Sequence, residues 1–304
     1  MSKVREIMAD FYKKMDPKNT LEQSRQVFAE IGRQEQLPEG TTVEKILVAN
    51  LPAEWVKAAN VAPENEQVIL YFHGGAFTLG SCDTHRRLAA LISEASGVQV
   101  LVIEYRLAPE HKYPAANDDC LAAYRWLIEK GISAGNIIIG GDSSGGTLTL
   151  MTLLSLRDAG DPLPKAAFFL SPLLDMIYFD GESYISRAGL DVSTLEAAKS
   201  VTGFYVDAAL KPLPPILSPL NQDLRGLPNL FVQIGDHEVL LSDCTRLAER
   251  GKAAGVNVTL DIWDEMCHGF QFLSAFVPEV KPAIDNVGQF VKKQFNEVVS
   301  AKHI

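Results

Sequence analysis

The chain has 304 residues, with 28 Lys and Arg against 38 Asp and Glu, for a formal net charge of −10. A net-acidic chain with scattered charges is not built to bind nucleic acid or an anionic membrane surface. With 47% hydrophobic and 22% charged residues it is not disordered in bulk, and at this length a large core needs neither disulfides nor structural metal.

In chain order, residues 1–36 read as amphipathic helices without a catalytic-looking side chain. Residues 1–14 mix charges with isolated apolar positions and lack the apolar run of a secretory signal. Two short strands follow, 42–48 and 55–61, separated by Leu51-Pro52-Ala53, which predicts a hairpin at a sheet edge. From residue 67 onward, apolar runs alternate with helix-period segments. Strands are expected at 68–72, 98–105, 137–139, 166–170, 230–234 and 256–263. Helices are expected at 84–95, 117–130, 145–158, 242–254 and 280–299. This alternation predicts an α/β fold with a mostly parallel eight-stranded sheet and helices on both faces.

Residues 175–218 interrupt the pattern. They are too long for a simple crossover, carry a helical stretch at 193–206 and end in Lys211-Pro212-Leu213-Pro214-Pro215. They read as an insertion folding over the C-terminal edge of the sheet. No window approaches the ~18 apolar residues of a membrane span. Cys82, Cys120, Cys244 and Cys267 form no C-x-x-C pair, so four reduced thiols in a cytoplasmic enzyme are expected.

The strongest local signal is Gly141-Asp142-Ser143-Ser144-Gly145-Gly146. It contains G-x-S-x-G centred on Ser143, after an expected strand and before an expected helix. Ser144 cannot be the central serine, because Asp142 stands two residues before it. Such a tight turn holds a serine Oγ out at a helix N-terminus, where developing negative charge is favoured. A serine nucleophile needs a base, and the base needs an orienting carboxylate; around a turn of this kind the chain order is serine, acid, histidine.

Of His73, His85, His111, His237, His268 and His303, only the last three follow Ser143. His303 is at the chain end, where fraying is expected. His237 lies in the loop expected to hold the acid. His268 follows the last strand and becomes the expected base. For the acid, the loop Gly235-Asp236-His237-Glu238 offers two carboxylates that residue chemistry alone does not separate; Asp243 is expected in the first turn of the next helix, with a structural role there. Oxyanion donors are expected from the Ser144 amide and from the loop His73-Gly74-Gly75-Ala76-Phe77, with His73 bracing the loop.

Together these motifs resemble the hormone-sensitive-lipase family of α/β-hydrolases, in its bacterial esterase branch, over about residues 65–295. His73-Gly74-Gly75-Ala76-Phe77 is similar to the family's HGGG/HGGA motif. The Ser143 turn is similar to its GDSAGG, with Ser144 in place of the usual Ala. Tyr105-Arg106-Leu107-Ala108-Pro109-Glu110, followed by Tyr113-Pro114-Ala115-Ala116, resembles its most distinctive block, for which a bracing role is implied. His268-Gly269-Phe270 is similar to its histidine motif.

The resemblance implies the α/β-hydrolase fold with a helical cap: cap helices in residues 1–40, a catalytic domain in 41–304, and a cap insertion at 175–218. Register against Leu240 and Asp243 places Glu238 at the acid position, with Asp236 in reserve. The implied site is Ser143, Glu238 and His268, with Gly74, Gly75 and Ser144 as oxyanion donors. Carboxylester hydrolysis follows, on short to medium acyl chains, with no metal or cofactor. Pocket width is expected to depend on Phe204, Tyr205, Leu213 and Ile216. A homodimer through the last strand is also implied. The rival readings are an amidase or lactonase using the same triad, and a non-catalytic binder of small ligands.

Overall fold

A computed structural model describes residues 3–14, 19–33, 36–275 and 277–297. His303 and positions 298–299 of the expected last helix lie outside them. Eight strands form one sheet in the order β1-β2-β4-β3-β5-β6-β7-β8. They are β1 Thr42–Val48, β2 Leu51–Lys57, β3 Val68–Phe72, β4 Gln99–Ile103, β5 Ile137–Asp142, β6 Ala166–Leu170, β7 Asn229–Gly235 and β8 Val258–Trp263. The β1–β2 and β2–β4 pairs are antiparallel, and every pair from β4 to β8 is parallel. The expected mostly parallel sheet is present.

The helices are α1 Lys3–Lys14, α2 Leu21–Arg33, α3 Cys82–Ser96, α4 Ala115–Glu129, α5 Ser144–Ala159, α6 Ser183–Ser186, α7 Leu195–Tyr205, α8 Leu241–Ala253 and α9 Lys281–Asn296. Strand alternation decides which face each side chain serves. In β3, Val68, Leu70 and Phe72 pack with α4 and α5 residues such as Tyr124 and Leu150. Ile69 and Tyr71 point the other way, into a cluster with Ile92 of α3 and Val287 of α9. All five β3 side chains are buried, as a central parallel strand covered on both faces requires.

The hairpin departs from expectation. Its turn is Ala49-Asn50, both with positive φ (47° and 68°), and β2 starts at Leu51 rather than at residue 55. Two left-handed residues match the twist of paired strands, so this short loop closes the hairpin and Leu51-Pro52-Ala53 joins the strand. Pro52 is tolerated because its carbonyl still accepts from Glu104 N–H at 2.8 Å. Its missing donor removes one bond at the end of the β2–β4 ladder.

Two segments outside the sheet layers reach the ends of the parallel strands. α1 lays Val4 and Met8 against Cys267, Phe270 and Leu273. α2 packs beside α3, where Phe28 meets the His85 ring edge-on at 6.1 Å. The 175–218 segment carries α6 and α7 and docks on α8. There Ser183 Oγ donates to Val239 O (2.6 Å) and Tyr184 OH donates to Asp243 (3.0 Å). All four cysteines are buried and free of disulfides. Among the described residues no helix is long and apolar enough to cross a membrane.

Candidate active site

Ser143 sits between β5 and α5 with φ 49° and ψ −118°. A non-glycine residue held there stores roughly 1–3 kcal/mol, which the surroundings must impose. They do so by hydrogen bonds: Ser143 N–H donates to Leu170 O (2.9 Å), and its carbonyl accepts from Gly146 N–H (3.0 Å). Gly145 permits the close approach, since a Cβ there would overlap the Phe72 carbonyl.

The turn brings Ser143 Oγ to 3.1 Å from His268 Nε2. On the other side of the ring, His268 Nδ1 lies 3.0 Å from Glu238 Oε2. Glu238 is fully buried. Its Oε1 accepts from Ser171 Oγ (2.6 Å) and from Gly235 N–H (2.7 Å), so both carboxylate oxygens are engaged. Ser171 itself has φ 48°, a second strained serine at the sheet's C-terminal edge. Burial pulls the His268 imidazolium down, but the Glu238 hydrogen bond and the charges of Glu238, Asp191 and Asp142 outweigh it. The net effect holds its pKa above the ordinary 6.5.

The reserve acid is not brought to this chain. Asp236 Oδ1 accepts from Glu265 N–H (2.7 Å), and its nearest histidine is His237, at 3.9 Å. The reason is the local turn. Glu238 N–H returns to Gly235 O (3.2 Å), turning the side chain at 238 inward, while Asp236 N–H bonds Trp263 O across the sheet end. Asp243, in the first turn of α8, faces Tyr184 as a structural carboxylate.

In the glycine-rich loop after β3, Gly74 N–H donates to Asp142 Oδ1 (2.9 Å) and is engaged within the protein. A Cβ at Gly74 would overlap the same carboxylate. Among the described residues, the amides of Gly75, Ala76 and Ser144 have no protein acceptor. Gly75 and Ala76 have φ values of 115° and 56°, which bend the loop back toward the Ser143 turn. The loop is fastened from several sides. Phe77 N–H donates to Ser144 Oγ (3.3 Å), Ala108 N–H to Phe77 O (2.9 Å), and Tyr105 OH to His73 O (2.7 Å).

His73 braces the loop as expected. Its Nδ1–H donates to Gly74 O (2.8 Å) and its ring stacks on Tyr105 at 4.2 Å. Burial and the neighbouring His85 push its pKa down to about 3, so it is neutral. Of the residues expected to set pocket width, Phe204 is exposed, and Leu213 and Ile216 are partly buried against the core. Tyr205 is fully buried and face-stacked on Phe77 at 3.9 Å. It is therefore a strut against the glycine-rich loop and not an open wall.

Sequence reasoning missed several participants. Asp142 joins Tyr71 OH (2.8 Å) and the Gly74 amide; its one signal is being the sole acidic residue of the glycine–serine turn. Ser171 and Arg25 carry no motif. Arg25, in α2, donates to the carbonyls of Thr78 (2.9 Å) and Ala108 (3.0 Å).

The α/β-hydrolase fold family matches residues 69–272 of this chain. An acetyl-hydrolase of Streptomyces hygroscopicus is 37% identical over 254 residues, covering 83% of either chain. An esterase of Acinetobacter venetianus is 35% identical over 255 residues, again covering 83% of each. An esterase of the bacterial hormone-sensitive lipase family superposes with a TM-score of 0.91 at 38% identity, covering 97% of this chain and 99% of its own. The esterase EstE5, in a crystal soaked with p-nitrophenyl butyrate, gives 0.88 at 36% identity over 97% and 99%. The fold and the strand-turn-helix carrying Ser143 thus define an α/β-hydrolase. Within that class, the chain belongs to the bacterial hormone-sensitive lipase family.

Proposed function

We propose that this carboxylic ester hydrolase is a serine carboxylesterase acting on short- to medium-chain acyl esters through a Ser143-His268-Glu238 triad and an acyl-enzyme intermediate. The observation that carries the reading is the continuous hydrogen-bonded chain from Glu238 through His268 to Ser143, at 3.0 and 3.1 Å. Ser143 Oγ attacks the ester carbonyl as His268 Nε2 takes its proton. Glu238 fixes the Nδ1–H tautomer and stabilises the imidazolium. The free amides of Gly75, Ala76 and Ser144 receive the oxyanion. His268 then protonates the departing alcohol, and a water deprotonated by His268 releases the acid.

The helices of residues 1–40 and the 175–218 insertion serve as the cap over a catalytic domain formed by 41–304. Support comes from α1 against the His268 loop, α2 on the oxyanion loop, and the insertion docked on α8. The acyl preference draws on the acetyl-hydrolase relative and on the EstE5 crystal soaked with a butyrate ester. A homodimer is supported by the open outer edge of β8, where Ile262 is exposed. Four cysteines outside any disulfide support a reducing compartment, the cytoplasm.

The test is hydrolysis of p-nitrophenyl esters from acetate to decanoate by wild type, Ser143→Ala and Glu238→Gln. Highest rates at short and middle chains, abolished in Ser143→Ala and strongly reduced in Glu238→Gln, are expected. A wild type inactive on every ester, or a Ser143→Ala variant that keeps its rate, overturns the reading.

A further inference from the structure

Asp191 lies in the bend between α6 and α7, inside the 175–218 segment, and is 6% exposed. Its Oδ1 accepts from His268 N–H (2.9 Å) and Val192 N–H (2.7 Å). Its Oδ2 accepts from Val239 N–H (2.9 Å). Among the described residues no Lys, Arg or His side chain forms an ion pair with it. A buried carboxylate without a counter-cation is costly, and here backbone dipoles alone compensate it.

The two anchored sites are informative. Val239 follows Glu238 directly, and the other donor is the backbone of His268 itself. One carboxylate from outside both loops therefore ties the residue after Glu238 to the backbone of His268. The loops also meet directly, by Glu265 N–H to Asp236 Oδ1 (2.7 Å) and His237 N–H to Met266 O (3.2 Å), but Asp191 is bound at the two positions that flank the 3.0 Å bond between Glu238 and His268. A misalignment of a fraction of an ångström there weakens catalysis far more than binding.

We propose that Asp191 is a positioning residue for the triad: it locks the Glu238 and His268 loops in register and sets a second negative charge behind the imidazolium that forms during acyl transfer. The proposal rests on the serine carboxylesterase reading above. When His268 Nε2 takes the Ser143 proton, the ring becomes cationic. The charges facing it are Glu238 from the β7–α8 loop, Asp142 from the end of β5, and Asp191 from the insertion. The last of these belongs to a segment that also supplies Tyr205 beneath the oxyanion loop. Triad alignment is thereby coupled to the docking of the insertion.

The test uses the full-length protein and p-nitrophenyl butyrate, with Asp191→Asn and Asp191→Ser beside wild type. Asn keeps the shape but loses the charge and one acceptor; Ser keeps a single acceptor. The expected result is a fall in kcat of about 10-fold or more with KM changed less than about 2-fold. The acid limb of kcat/KM should also move down by about half a pH unit or more, because a charge favouring the imidazolium has gone. A structural role alone lowers the melting temperature and leaves that limb in place. A folded variant with an unmoved acid limb overturns the proposal, and so does failure of both variants to fold at 10 °C. Failure of the underlying reading is distinct: the wild type is then inactive, or Ser143→Ala is not.

Discussion

Arg25 and Glu110, separated by 85 positions in the chain, form a two-pronged ion pair at 2.7 and 2.8 Å. The same guanidinium reaches the carbonyls of Thr78 and Ala108, so one side chain of α2 fastens the glycine-rich loop to the Tyr105–Glu110 block. The block's bracing role thus has a definite partner. The Arg25 bond holds the Glu110 carboxyl down at about 2, so the pair survives well into acid.

Replacing Arg25 with Ala should lower stability on the order of 1–2 kcal/mol and reduce kcat several-fold, because two loop carbonyls lose a charged donor. Arg25→Lys should recover only part of either, since an ammonium cannot reproduce the planar fork. Melting curves and butyrate ester kinetics on both variants check this; full recovery by Lys would point to charge alone.

The two candidate acids have opposite expectations. Glu238→Gln removes the charge facing His268 Nδ1 and should cost roughly 10⁴ in kcat, as loss of a triad carboxylate typically does. Asp236→Asn changes a side chain bound to the Glu265 amide and near His237, away from His268, and should stay within about 2-fold of wild type. Steady-state rates on one ester decide the matter, and equal losses would contradict the assignment.

The pH profile follows from His268. Catalysis needs the neutral ring, and the net field of Glu238, Asp191 and Asp142 favours the charged one. The kcat/KM profile should therefore rise through a midpoint above 6.5. A midpoint below that value would show that burial outweighs the carboxylates.

Asp243 gives a stability prediction of the other sign. Burial, only partly offset by the Tyr184 hydroxyl, pushes its pKa up to about 7 from 3.8. The folded state then binds the proton more tightly than the unfolded one. Its contribution is fully present below about pH 4 and is lost as pH rises through 7. Asp243→Asn should match wild type near pH 4 and be the more stable protein at pH 8, by urea unfolding. A difference independent of pH would refute this.

What the sequence made legible were features with a chemical signature at short range. Glycines flanking Ser143 marked the turn, and chain order selected His268. The acid needed the family resemblance, because Asp236 and Glu238 differ only in which one the Gly235 turn directs inward. In the hairpin, Leu51-Pro52-Ala53 looks like a turn, whereas the turn falls on Ala49-Asn50, and alanine does not advertise a positive φ. The resemblance implies Gly74 as a donor, but which amides of that loop stay free of protein acceptors leaves no mark in a sequence. Asp191 and Ser171 were invisible for a different reason: their partners lie 77 and 67 positions away.

The packing of α1 has a consequence for the segment that carries His268. Val4 and Met8 seat on Cys267, Phe270 and Leu273, residues that bracket His268 in the chain. A helix outside the sheet layers therefore shares in holding this histidine, whereas Ser143 is held by the sheet and its own turn. Unseating α1 would slacken one side of the Ser143–His268 contact and leave the other untouched.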